Sequence, residues 1–386
     1  MTDTTKIVQA GRHVDRDIEI VNPPVYHAST VLYPDMASLT DTSRTYTYGR
    51  RGTPTTRALE SALTELEGGA RTVLVPSGLN AITTALLSFA QAGDHVLVTD
   101  AVYAPTRAFC DRFLKRFSIE VGYYDPMIGA GIAQLFKPNT RVVFCESPGS
   151  QTFEVQDLPA IAAAARARNI VVMADNTWAS PLYYKPLALG AHLSIQSATK
   201  YIAGHSDLTL GSITANVEAE SLLASSHGLL GQSVAPDDAY LTLRGLRTLS
   251  VRMARHQDNG LALAHWLAAR PEVDRVLHPA LENTPGHVLW KRDFTGASGT
   301  FSIVLKPCEK PAIAAMIDGL KLFGLGYSFG GFESLVMPAD LRTIRTATRW
   351  TGGPIVRFHI GFEDVADLKA DLAASFDRLK AAEQKQ

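Results

Sequence analysis

The sequence has only three cysteines, Cys110, Cys145 and Cys308, and no two of them form a CxxC pair. That speaks against a disulfide framework and a thiolate metal cluster, and no metal is expected. Long apolar runs are missing too, and none approaches the ~20 residues of a membrane span. Charge of neither sign is gathered into blocks: 37 Lys and Arg stand against 38 Asp and Glu, for a formal net charge of −1. Neither nucleic acid nor an anionic membrane is therefore expected as a partner. The sequence carries no internal repeat and no low-complexity linker. Its opening, Met1-Thr2-Asp3-Thr4-Thr5-Lys6, lacks the charged-then-apolar layout of a secretory signal. A cytoplasmic protein is the expectation.

What is present is an ordinary globular balance, 46% hydrophobic and 19% charged, in 386 residues. That length gives room for two domains with real cores. Residues 1–53, with Pro23, Pro24 and Pro34 and little helical periodicity, read as an extended N-terminal arm without a packed subdomain. From Arg57 a helical face appears in Ala58, Leu59, Ala62, Leu63 and Leu66, stopped by Gly68-Gly69. Strands and helices then alternate. Strands are expected at 72–76, 95–99, 119–123, 141–145, 170–175, in the run leading to Lys200, and at 208–215. Helices are expected at 81–91, 104–117, 130–136, 158–168 and 218–230. A long helical region from 236 to 266, broken near Gly245, leads to strands at 273–278, 299–305 and 356–360 and helices at 312–320 and 365–379. The fold class is α/β. A large, mostly parallel sheet domain (54–245) is followed by a smaller C-terminal α+β domain (246–386).

Two stretches carry chemistry. Leu193-Ser194-Ile195-Gln196-Ser197-Ala198-Thr199-Lys200 reads as a strand that delivers one lysine among hydroxyls, with no carboxylate beside it. Such a lysine is either a solvated surface cation or a buried amine, and burial disfavours the ammonium by up to ~3–5 pKa units. Upstream, Ile170-Val171-Val172-Met173-Ala174-Asp175 is an apolar run ending in an acid, the pattern of a buried parallel strand opening into a ligand crevice. An Asp and a Lys at successive strand ends suit pyridoxal phosphate. The lysine forms the Schiff base, and the acid keeps the pyridine nitrogen protonated.

Ser197-Ala198-Thr199-Lys200-Tyr201, Ala174-Asp175-Asn176-Thr177-Trp178 and Tyr48-Gly49-Arg50 together resemble the Cys/Met-metabolism family of pyridoxal-phosphate enzymes, from about Asn22 to about Leu379. Within it the chain is most similar to members that cleave the Cβ–S bond of L-cystathionine. The resemblance implies a fold-type I pyridoxal-phosphate transferase architecture and a homo-oligomer, a tetramer made of two dimers. Tyr48 and Arg50 would reach across to the neighbouring subunit's cofactor phosphate. Gly78 and Leu79 amides with Ser197 and Thr199 hydroxyls would bind phosphate from within the chain. Tyr103 would stack on the pyridine and assist proton transfer, Lys200 would be the base, and Asp175 would hold the ring nitrogen.

For the substrate, Arg357 would clamp the α-carboxylate, with Ser328 beside it. Tyr327, where relatives acting at Cγ commonly carry Glu, would offer an apolar wall favouring β chemistry. The resemblance implies β-elimination giving homocysteine, pyruvate and ammonia, with γ-acting relatives and a non-catalytic cofactor-binding protein as the alternatives. Glu146-Ser147-Pro148-Gly149-Ser150 lies at another strand end, and no role transfers to Ser150, where many relatives carry Asn.

Overall fold

Apolar β-branched runs make the central sheet of this chain, a computed structural model that describes residues 1–12, 20–342 and 344–384. Its seven strands are β1 (Arg71–Val75), β2 (His95–Thr99), β3 (Glu120–Tyr124), β4 (Thr140–Glu146), β5 (Val171–Asp175), β6 (Leu193–Gln196) and β7 (Gly211–Ala215). They lie in the order β1-β7-β6-β5-β4-β2-β3. All neighbours are parallel except β7, which runs antiparallel to both β1 and β6. Successive side chains alternate between faces, so one strand serves two cores. In β4, Val142 and Phe144 pack with Val73, Ile82 and Val96, whereas Val143 and Cys145 pack with Leu158, Ile161 and Val172 on the other face. Both faces being covered is why these runs read as continuously apolar.

A second sheet holds β8 (Val273–Leu277), β9 (Thr300–Leu305), β10 (Gly324–Leu325), β11 (Leu335–Ala339) and β12 (Ile355–His359), in the order β10-β11-β12-β9-β8. The helix Leu249–Ala268 carries the chain toward it. Leu249 and Met253 belong to a core with Leu59, Leu63 and Tyr201, while Leu263, Ala264 and Leu267 belong to the core of the second sheet.

Several elements depart from the sequence reading. The first residues are not an extended arm throughout. Asp3–Gln9 is a helix whose Ile7 is buried, and Arg247 donates to the carbonyls of Ile7, Val8 and Ala10. The expected helix at 104–117 begins as α over Ala104–Ala108, then widens to a π turn and tightens to a 3₁₀ turn. The segment Gly129–Leu135 is also 3₁₀. The break in the long helical region falls at Arg247 and Thr248, just past Gly245. Finally, β6 stops at Gln196, so Lys200 lies in a turn after the strand, its amide donating to the carbonyl of Ser197 at 3.0 Å.

Candidate active site

Parallel strands bring their carboxyl ends to one edge, where Gln196, Asp175, Glu146 and Thr99 close β6, β5, β4 and β2. Asp175 is 8% exposed and stands opposite Glu146 in the β4–β5 register. Its Oδ1 accepts the Thr177 amide at 2.9 Å, and the Thr177 hydroxyl accepts the Ser197 amide at 2.9 Å, which ties the acid to the lysine turn. Burial raises the Asp175 pKa, opposed by the Thr177 bonds and by the Lys200 charge. Glu146 is pushed well above the usual carboxylate range, by burial first and then by Asp175. Two such acids side by side cannot both ionise cheaply. Glu146 has one bond that counters the rise: its Oε2 accepts the Tyr103 amide at 2.7 Å.

Lys200 donates from Nζ to Ser328 Oγ at 2.5 Å. Its pKa is pushed down to about 8, by burial first and then by the Arg357 charge, against the pull of Asp175. Ser328 has φ +88°, a region that side chains seldom adopt. Its carbonyl accepts from Arg357 Nη2 at 2.9 Å, while Arg357 Nε is buried without a partner. Gly330 explains part of the glycine-rich run. It has φ +86°, and a Cβ there would lie 2.7 Å from the Tyr201 nitrogen and 2.8 Å from the Lys200 carbonyl carbon. The loop thus lies directly on the lysine backbone, which only glycine permits.

The helix Gly78–Phe89 turns its N-terminus toward Ser197. Ser77 caps it by accepting the Asn80 amide, and the first-turn amides of Gly78 and Leu79 have no intrahelical acceptor. A Cβ on Gly78 would sit 2.3 Å from Ser197 Oγ, so a glycine is needed for strand turn and helix to meet.

The remaining expected residues divide. Tyr103 reaches the site, the residue 45% exposed and its hydroxyl held protonated by burial and then by Glu146. Thr199 does not present a free hydroxyl, because its Oγ1 donates to the Leu210 carbonyl and accepts the Leu210 amide. Tyr327 is 84% exposed, so within one chain it forms no wall over Lys200. Tyr48 is half exposed, and Arg50 donates to the Gly228 carbonyl at 3.0 Å. Arg50 lines a cavity of about 390 Å³ together with Arg51, Arg57, Arg71 and His227, none of them a residue of the Lys200 cluster. Sequence reasoning passed over Glu146, although its place at the end of an apolar strand was the same signal that marked Asp175.

The donor set fits pyridoxal phosphate. The first-turn amides at Gly78 and Leu79 with the Ser197 hydroxyl suit a phosphate dianion at a helix N-terminus. The buried Asp175 suits a cationic ring nitrogen, and the Lys200 amine an aldehyde carbon. The orphaned Arg357 Nε calls for a further anion, such as an amino-acid carboxylate. Among the described residues, no group of three or more His, Cys, Asp and Glu could hold a metal ion, and no helix is long and apolar enough to cross a membrane.

Residues 4–377 match the Cys/Met metabolism PLP-dependent enzyme family. A protein of Rhizobium johnstonii provisionally named a cystathionine beta-lyase is 55% identical over 360 residues, covering 92% of this chain and 91% of its own length. The cystathionine beta-lyase of Escherichia coli is 43% identical over 387 residues, 97% of this chain and 98% of that one. Among solved structures, cystathionine gamma synthase from Xanthomonas oryzae pv. oryzae in complex with aminoacrylate and cysteine superposes with a TM-score of 0.91. It is 33% identical and covers 99% of each chain. The chain belongs to the Cys/Met metabolism family of pyridoxal-phosphate-dependent enzymes.

Proposed function

We propose that the chain is a cystathionine beta-lyase, a carbon–sulfur lyase that converts L-cystathionine to homocysteine, pyruvate and ammonia. The observation that carries this reading is the joined pair at Ser328, whose hydroxyl meets Lys200 and whose carbonyl meets Arg357. When bound, pyridoxal phosphate supplies the sink for the electron pair left on Cα once its proton is gone. Asp175 would keep the ring nitrogen protonated, and Ser197 with the Gly78 and Leu79 amides would hold the phosphate. Arg357 would grip the α-carboxylate and so fix the Cα–H bond toward Lys200. Lys200, already depressed to about 8, is close enough to neutrality to take that proton and hold it at Nζ. The proton would then be available to the departing sulfur, with the Tyr103 hydroxyl assisting.

We take the enzyme to be cytoplasmic, to serve methionine biosynthesis, and to work as a homo-oligomer, a tetramer of two dimers. Arg50 lines a cavity apart from Lys200 within the chain, which supports the service of Tyr48 and Arg50 in a partner's site. We divide the chain into an arm (1–53), a cofactor-binding domain (54–245) and a C-terminal domain (246–386). The helix 249–268, which enters both cores, crosses from one to the other.

Product analysis tests the reading. Incubation of the holoenzyme with L-cystathionine should yield pyruvate, ammonia and homocysteine in equal amounts. Mainly 2-oxobutyrate and cysteine would move the chain to the γ-acting branch of the family.

A further inference from the structure

Asp100 follows β2 directly and is an acid only 1% exposed. Its carboxylate collects an unusual number of donors from a segment almost 250 residues away in the chain. Oδ1 accepts the Thr346 amide at 3.0 Å and the Thr346 hydroxyl at 3.3 Å. Oδ2 accepts the Ala347 amide at 2.9 Å, the Thr348 amide at 2.7 Å and the Thr348 hydroxyl at 3.2 Å. Arg107 completes the shell, donating from Nη2 to Oδ1 at 2.5 Å and to the Asp100 carbonyl at 3.0 Å. Its guanidinium lies 3.7 Å from the centre of the Tyr123 ring. Three successive amides converging on one carboxylate make the kind of anion nest that backbone otherwise offers to phosphate.

The two ends of this tie both lead to groups that face a substrate. Asp100 is three residues before Tyr103, and the Arg107 amide donates to the Tyr103 carbonyl at 3.1 Å. The nest runs into β12, whose third residue is Arg357. Arg345, beside the nest, donates to Glu154 Oε1 at 2.7 Å and to the Thr152 hydroxyl, both on the cofactor-binding side. Leu341 and Ile355 are buried in the core under the central sheet, with Ile344 and Trp350 packed against it. The Tyr103 hydroxyl and the Arg357 guanidinium sense one another electrostatically across the site.

We propose that Asp100 is a positioning residue: by seating the 344–350 segment on the end of β2, it sets the gap between Tyr103 and Arg357 that receives the substrate. It acts through those two residues and touches no reacting atom. The inference rests on the reading of Arg357 as the carboxylate clamp. Loosening the tie lets the Tyr103 turn drift relative to β12, which stays paired with β9 and β11, while leaving Lys200, Asp175 and Ser197 in place. Ground-state and transition-state grip on the carboxylate then weaken together, which raises KM more than it lowers kcat.

The test uses the holoenzyme with Asp100→Asn and, separately, the double variant Thr346→Val with Thr348→Val. The asparagine keeps the shape but turns an NH₂ toward amides that need an acceptor. The double variant removes the two hydroxyl bonds to Asp100, and with them the 3.5 Å bond that Arg345 Nη1 donates to the Thr348 hydroxyl. Hydrogen exchange of the 346–348 amides should quicken in both. KM for L-cystathionine should rise about tenfold in Asp100→Asn and about threefold in the double variant, with kcat within about twofold and the cofactor absorbance unchanged. If Asp100→Asn does not fold, the double variant decides alone. Faster exchange with unchanged KM, or no change in exchange, would reduce the network to a fold-stabilising role and overturn the proposal. If wild-type protein gives no β-elimination at all, the lyase reading fails instead. The dissociation constant of the amino acid, measured by the cofactor's absorbance change, then replaces KM in the same comparison.

Discussion

Lys200 Nζ lies 2.5 Å from Ser328 Oγ, and the same serine gives its carbonyl to Arg357 at 2.9 Å. One residue therefore joins the amine that would move a proton to the cation that would hold the carboxylate. It does so from a backbone angle of +88°. Strained backbone of this kind costs of order 1–3 kcal/mol and survives only where surrounding contacts impose it. Here the contacts are Arg357 on the carbonyl and Gly330 pressed onto the Lys200 backbone.

Replacing Ser328 by alanine removes the hydroxyl and keeps the strain. Lys200 then loses its acceptor and samples other rotamers, so kcat should fall roughly tenfold, the worth of one hydrogen bond to a charged group. Cofactor affinity should change little, since Gly78, Ser197 and Asp175 are untouched. Ser328→Gly lacks the same hydroxyl but tolerates the backbone angle, and should melt at a higher temperature than Ser328→Ala. Wild-type kcat in both variants would show that the lysine needs no tether.

The depressed lysine gives a pH signature in protein stripped of cofactor. Burial and the Arg357 charge lower the Lys200 pKa to about 8, so the neutral amine predominates above that value, whereas an ordinary lysine needs pH above ~10.4. The rate of acylation at Lys200, followed by peptide mass mapping, should rise with a midpoint near 8, and surface lysines should lag behind. In Arg357→Ala one of the two depressing causes is gone, and the midpoint should move upward. A midpoint at the ordinary lysine value in wild-type protein would mean that the amine is solvated.

How far the sequence disclosed all this depends on where each residue's partners lie. Asp175 and Lys200 were legible because each ends or follows an apolar run with period and composition of its own. Arg357 was legible only through the resemblance, since an arginine in an alternating strand more often faces solvent. Asp100 and Glu146 carried the same strand-end signal, but Asp100's donors stand at 346–348, and no local pattern links the two. The helix Asp3–Gln9 is too short to show periodicity and is held by Arg247 from across the fold. Strand β11 was hidden by Pro338, a residue that local reading assigns to loops.

Tyr48 and Arg50 raise the question that a single chain poses most sharply, whether they serve their own site or a neighbour's. Within the chain Arg50 is bonded to Gly228 and lines a cavity apart from Lys200. Subunit mixing can separate the two cases. Arg50→Ala and Lys200→Ala proteins should each be nearly inactive, the first for want of a phosphate ligand at limiting cofactor and the second for want of the base. In a mixed dimer with service in trans, one site combines the intact Lys200 of the first subunit with the intact Arg50 of the second. Random exchange makes half the dimers mixed, each with one complete site of two. Activity should therefore recover to about a quarter of wild type. Service in cis leaves every site damaged, and unfolding and refolding the mixture together would then restore nothing beyond the average of the two parents.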